Sequence, residues 1–206
     1  MDHFLNLPED KQNKIVDAAL AAFARGGYKK TSVSDVAAAA GISKPMVFHY
    51  FGKKKMLYFY LLDFCNGQIV QAIERTYDKA VTDFFERITM ASRIKYDVVC
   101  HHPGMLGFLE SVCYEQDPAV YVDIQAFLNS DAMKQLQDQV IFERVDVSKF
   151  KDGVDPRQVM DMIVILSYGF ISRMRGQLAA NIDQIYSELE VYMQLLKNNL
   201  YKPEYL

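Results

Sequence analysis

The stretch Thr31–Phe51, TSVSDVAAAAGISKPMVFHYF, decides the fold. Ser32 followed three residues later by Asp35 is the pattern of a capping box, in which two otherwise unpaired N–H groups at a helix start are satisfied reciprocally. The next residues, Val36 to Ala40, are mostly alanine, which favours helix and lets a second helix approach closely. Gly41 can adopt the left-handed conformation that ends a helix. Ser43 can cap the next one, and Pro45 suits its first turn, where a missing N–H costs nothing. That second helix carries Lys44, His49 and Tyr50 beside the apolar Val47 and Phe51. A short helix, a glycine-containing turn and a polar second helix form a helix-turn-helix, the device that lays a helix in the major groove of DNA.

Working outward, the region from Ile15 to Leu57 resembles the DNA-binding domain of TetR-family transcriptional regulators. The resemblance is carried by IVDAALAAF, then GGYKKTSVSDVAAAAGIS, then VFHYFGKKKML, in the family's order and spacing. Two positions depart from the family pattern. Phe48 stands where tyrosine is usual, which removes a hydroxyl, and Pro45 stands where glycine or another small residue is common. The resemblance implies a dimer formed by the last two helices and a body that binds a small molecule.

Charge is distributed to match. Residues 1–55 hold nine Lys or Arg and five Asp or Glu, net +4, whereas the remainder is net −7. A basic end on an acidic body is expected where one end meets phosphates. The longest apolar run, Met162 to Ile171, is far short of the roughly 20 residues of a membrane span. The N-terminus, MDHFLNLPEDK, lacks the pattern of a signal peptide, so a cytoplasmic protein is expected. Cys65, Cys100 and Cys113 sit among apolar neighbours with no CxxC spacing, and read as buried, reduced thiols. His101 and His102 are adjacent, so on a helix they point about 100° apart and do not share a metal.

Periodicity predicts helices throughout. The first runs from about Glu9 to Arg25 and is stopped by Gly26-Gly27; a long helix runs from about Lys53 to Tyr77, and another from Asp78 to Cys100. Pro103 and Pro118 each open a helix. Residues 146–155 read as a loop. Asp155-Pro156 starts a long helix that Asn181 ends, and the last helix covers Asp183 to Tyr201. Val159 to Phe170 is apolar on nearly every face, which calls for cover on all sides and favours self-association. The fold class is therefore all-α. A three-helix helix-turn-helix domain, residues 1–52, is joined by a long helix to a helical ligand-binding and dimerisation domain, residues 53–206.

The expected DNA-facing set is Lys30, Thr31, Ser32, Ser43, Lys44, Pro45, Phe48, His49, Tyr50, Lys53 and Lys54. Lysines and hydroxyls suit phosphates, while Lys44 and His49 can reach base edges. Phe48 is either outward, against sugar or a thymine methyl, or buried beside Phe51. Aromatic and methionine side chains at Phe85, Tyr96, Met105, Phe108, Phe127, Met162 and Tyr168 are candidates to line an apolar effector pocket, though such side chains also fill cores. No HExxH, GxSxG or P-loop pattern is present, and no catalytic group, metal or cofactor is expected. The expected partners are double-stranded DNA, a small-molecule effector and a second copy of the chain. Two other classes are open at this point: a regulator acting by protein contact alone, and an all-α enzyme.

Overall fold

The computed structural model describes residues 2–102, 104–173 and 178–206. These residues form helices α1 (Asp2–Leu5), α2 (Glu9–Lys30), α3 (Val33–Ala40), α4 (Lys44–Phe51), α5 (Lys54–Thr76), α6 (Phe84–His101), α7 (Met105–Cys113), α8 (Tyr121–Leu128), α9 (Asp131–Gln137), α10 (Pro156–Arg173) and α11 (Leu178–Leu200). No strand forms among the described residues beyond an antiparallel bridge between Phe150 and Tyr201. The all-α expectation holds. Pro103 lies outside the described residues.

Contacts divide the chain into two compact units, residues 1–75 with 95–130, and residues 76–94 with 131–206. The first unit is built on α2 to α5. Ile15, Ala19 and Phe23 of α2, Val36 of α3, Val47 and Phe51 of α4, and Leu57 and Leu61 of α5 close one core with Met105 and Phe108 of α7. The chain kinks within α2 because Gly27 adopts φ 59°, a positive φ that costs other residues a steric penalty. At the start of α7, a Cβ on Gly104 would lie 3.1 Å from the Ala21 nitrogen, and one on Gly107 would lie 3.0 Å from Ala24 Cβ. These glycines let α7 press directly on α2. The Gly107 side of α7 is thus turned to a helix.

The second unit is organised by an aromatic cluster in which Phe84 and Phe85 of α6 pack on Phe150 and Tyr201. The Tyr201 hydroxyl accepts the Phe84 N–H at 3.2 Å. Here α6 begins at Phe84, not at Asp78, because Asp83 caps it: its carboxylate accepts the Glu86 N–H at 3.1 Å and pairs with Lys149 and Lys197. Burial disfavours the Asp83 charge, yet the Glu86 N–H and the two lysines outweigh it and hold the carboxyl below its ordinary range. The pair Asp83 and Glu86 has the spacing of a helix-start signal. Asn181 does not end a helix; it lies inside α11, which follows from the helix-forming Leu178, Ala179 and Ala180 ahead of it.

Two further corrections concern thiols and the last helices. Cys65 is buried, and burial pushes its thiol up to about 12, but Cys100 and Cys113 are exposed; all three are free. Helices α10 and α11 each bury one side, through Val159, Ile163 and Phe170, and through Ile185 and Met193. Their other sides expose Met162, Ile165 and Tyr168, and Val191, Tyr192 and Leu195, with Ile165 at 69%.

Candidate nucleic-acid interface

The helix-turn-helix forms as its residues dictate. The Ser32 hydroxyl oxygen accepts the Asp35 N–H at 3.1 Å, and the Asp35 carboxylate accepts the Ser32 N–H at 3.3 Å. Gly41 ends α3 at φ 68°, ψ 31°, with its N–H on the Ala38 carbonyl. Ser43 takes the capping position of α4 through its backbone: its carbonyl accepts the Met46 N–H at 3.0 Å, while the side chain makes no capping bond. Val47 and Phe51 are buried, which fixes which face of α4 is left outward.

That outward face carries Lys44, Pro45, Met46, Phe48 and His49, all exposed. Phe48 is 42% exposed, so the alternative of burial beside Phe51 is set aside. Met46 was not among the expected residues; it sits in the first turn of α4 beside the exposed Lys44 and Pro45. Around α4, Lys29 and Lys30 before α3, the capping Ser32, Ser43, and Lys53 before α5 are exposed as well.

Three residues expected at the DNA are engaged within the unit instead. The Thr31 hydroxyl is buried and donates to the Ala22 carbonyl at 3.0 Å, securing the chain as it leaves α2. Tyr50 is buried against Phe4 and Phe51, because it follows Val47 by three residues on the core side of α4. Lys54 turns its ammonium onto the Tyr28 carbonyl at 2.8 Å and the Thr31 carbonyl at 3.2 Å, and over the Tyr28 ring at 4.2 Å. A cation at the carbonyl end of a helix is favourable, and α2 ends at this point. Glu115, beyond α7, completes the node by accepting the Tyr28 N–H at 2.6 Å. Neighbouring Lys55 pairs with Asp123 at 2.6 Å.

The candidate effector residues are not brought together. Met105 and Phe108 are fully buried in the core of the first unit, where Phe108 packs on Tyr58 and Phe23; Phe127 lies at the edge of that core and Tyr96 is half-buried. Phe85, Met162 and Tyr168 belong to the second unit, the first inside its aromatic cluster and the others on exposed helix faces. Their shared apolar character serves separate cores and surfaces. The first unit has a cleft of about 240 Å³ lined by none of these candidates; Gln68, Arg75, Asp97, Val98, His101 and His102 are among its walls. The histidines there are a helix-end pair, with His101 Nδ1 on the Asp97 carbonyl and the His102 ring edge-on to Phe64. No group of three or more metal-ligating side chains occurs among the described residues. No described helix is long and apolar enough to cross a membrane.

Comparison with known proteins agrees with this geometry. Residues 15–61 match the family model for bacterial regulatory proteins of the tetR family. The chain is 22% identical over 193 residues to the biofilm operon icaADBC HTH-type negative transcriptional regulator IcaR of Staphylococcus aureus (strain Newman), covering 89% of this chain and 99% of the relative. In structure it is similar to a TetR family transcriptional regulator from Chloroflexus aurantiacus (TM-score 0.69, 19% identity, 98% of both chains). It is also similar to the transcriptional regulator FadR from Bacillus subtilis in complex with stearoyl-CoA (TM-score 0.66, 19% identity, 89% of this chain and 96% of that one).

Proposed function

Since the chain belongs to the TetR family of transcriptional regulators, we propose that it is a repressor that binds a partly palindromic operator as a homodimer and is released by a small, mostly apolar effector. Residues 1–52, with Lys53 at the boundary, supply the DNA contacts; residues 53–206 otherwise supply the effector and dimer functions. Acting on chromosomal DNA, it works in the cytoplasm. The observation that carries the reading is the outward face of α4, with Lys44 and His49 exposed between the exposed lysines 29, 30 and 53. Lys44 and His49 read base edges, Phe48 and Pro45 pack on sugar or thymine methyl groups, and Lys30, Lys53, Ser32 and Ser43 hold the phosphates. The dimer is supported by the exposed apolar sides of α10 and α11. Specific affinity on the order of 10⁻⁸–10⁻¹¹ M is expected, with a steep fall as salt rises.

Lysine substitutions test this assignment. Lys30→Ala and Lys53→Ala are each expected to weaken binding to all sequences about equally and to reduce the salt slope by about 1. Lys54→Ala is expected to keep the slope and instead to lower stability by roughly 1–3 kcal/mol, since its ammonium serves two carbonyls. Fluorescence anisotropy across a salt series, with urea unfolding of each variant, separates the two patterns. Unchanged slopes for both Lys30→Ala and Lys53→Ala would remove the phosphate assignment.

Release follows from shared packing. Helices α5 and α7 close the same core as α2 and α4, so an effector that displaces either one shifts the recognition helix without any covalent step. That the B. subtilis FadR structure holds an acyl thioester supports an apolar effector class. Coupling of about 1–3 kcal/mol would change operator affinity roughly 5- to 150-fold, and the operator must weaken effector binding by the same factor. Long-chain acyl-CoA is the first probe for calorimetry with and without operator. Binding of equal strength in both titrations would rule out this coupling.

A further inference from the structure

The short helix α1 precedes the region matched to the family, and it does not stand apart from the recognition helix. Phe4 is fully buried, with its ring 4.8 Å from Phe51, 5.3 Å from Tyr60 and 6.0 Å from Tyr50. The Gln12 amide donates to the Leu5 and Leu7 carbonyls at 3.1 and 2.8 Å, which ties the turn between α1 and α2. A four-residue helix has no stability of its own, so these contacts are what hold it. Their consequence is at the neighbouring residue. The exposed His3 ring stacks on the exposed His49 ring, with centroids 4.4 Å apart and planes at 27°.

From this stack we infer that His3 is a positioning residue for base recognition, holding the His49 imidazole in one orientation on the outward face of α4. An exposed side chain on a helix otherwise samples several rotamers, and immobilising it on binding costs affinity. A ring anchored through Phe4 removes part of that cost before DNA arrives. Because the aromatic stack is the agent, another flat ring at position 3 suffices, whereas a methyl group does not. The inference rests on the reading that His49 faces bases.

The full-length protein and the variants His3→Ala, His3→Phe, His49→Ala and the His3→Ala/His49→Ala double variant are equilibrated with a random-sequence duplex pool, and the bound fraction is sequenced. Thermal unfolding of each variant checks that the fold is kept. His49→Ala is expected to relax preference at one or two base positions. His3→Ala is expected to relax the same positions by about 2- to 12-fold, the worth of an aromatic pair. The double variant should add little to His49→Ala, and His3→Phe should keep the parental preference. If His49→Ala relaxes preference while His3→Ala does not, or does so at other positions, the positioning role is overturned and the assignment of His49 stands. A His3→Phe variant as relaxed as His3→Ala overturns it too. If His49→Ala leaves preference unchanged, both readings fall.

Discussion

Replacing Ile165 by glutamate is expected to leave a folded monomer that no longer recognises an operator. Ile165 is 69% exposed on α10, between Met162 and Tyr168, and the neighbouring α11 exposes Val191, Tyr192 and Leu195. In a two-fold dimer a surface patch meets its own copy, so one substitution places two carboxylates in the interface. Burying an unpaired charge costs several kcal/mol, and the dimer would bury two. Without the dimer one recognition helix faces one half-site, and affinity should fall from on the order of 10⁻⁸–10⁻¹¹ M towards the non-specific range of about 10⁻⁴–10⁻⁶ M. Val122→Glu is the control: it is 71% exposed on α8, in the first unit, and should change neither property. Sedimentation at micromolar concentration and anisotropy on the operator provide the measurement. A dimer that survives Ile165→Glu with its operator affinity intact would move the interface away from α10.

The sequence made the helix-turn-helix legible because each of its signals is local. The box of Ser32 and Asp35, the left-handed Gly41 and the Pro45 first turn act within four residues, and all three form as read. The alternation of buried Val47 and Phe51 with exposed Lys44 and His49 follows from helical period alone. Lys54 was not legible in the same way. A lysine beside a recognition helix serves phosphates or backbone carbonyls equally well, and only the end of α2 folding over Tyr28 decides it. The dispersal of Phe85, Met105, Phe108 and Met162 has a similar origin, since apolar side chains carry no address and a pocket cannot be told from a core by composition. Gly104 and Gly107 mark the approach of α7 to α2, but a glycine announces space without naming the neighbour. The start of α6 was legible in principle, from Asp83 and Glu86 three apart, and the weaker apolar pattern of residues 78–82 obscured it.

Arg87 shows the limit most sharply, and its removal should be the most costly single change to the second unit. The residue is 1% exposed. Its Nε donates to the carbonyls of Val140 and Ile141 at 3.1 and 3.0 Å, Nη1 to Val81 at 2.5 Å, and Nη2 to Val140 and Gln139 at 2.7 and 3.3 Å. The carbonyls of Gln139, Val140 and Ile141 lie on the π-helical stretch Asp138–Phe142 that follows α9, and Tyr77 adds its hydroxyl to Val140 at 2.6 Å. Where a helix widens or ends, carbonyls lose their regular partners, and buried ones must find others. The guanidinium supplies them in one plane, and the negative end of the helix offsets its charge. Arg87→Met keeps much of the volume but takes these donors from four carbonyls, of which those of Val140 and Ile141 are buried, and it should destabilise the unit by about 3–5 kcal/mol. Arg87→Lys should cost less, because an ammonium restores some of the bonds but cannot span the fork. Hydrogen exchange at residues 138–142, together with urea unfolding followed by tyrosine fluorescence, reads both quantities. If Arg87→Met unfolds within about 1 kcal/mol of the parent, packing and not carbonyl satisfaction holds this turn, and the arginine is replaceable by any side chain of its size.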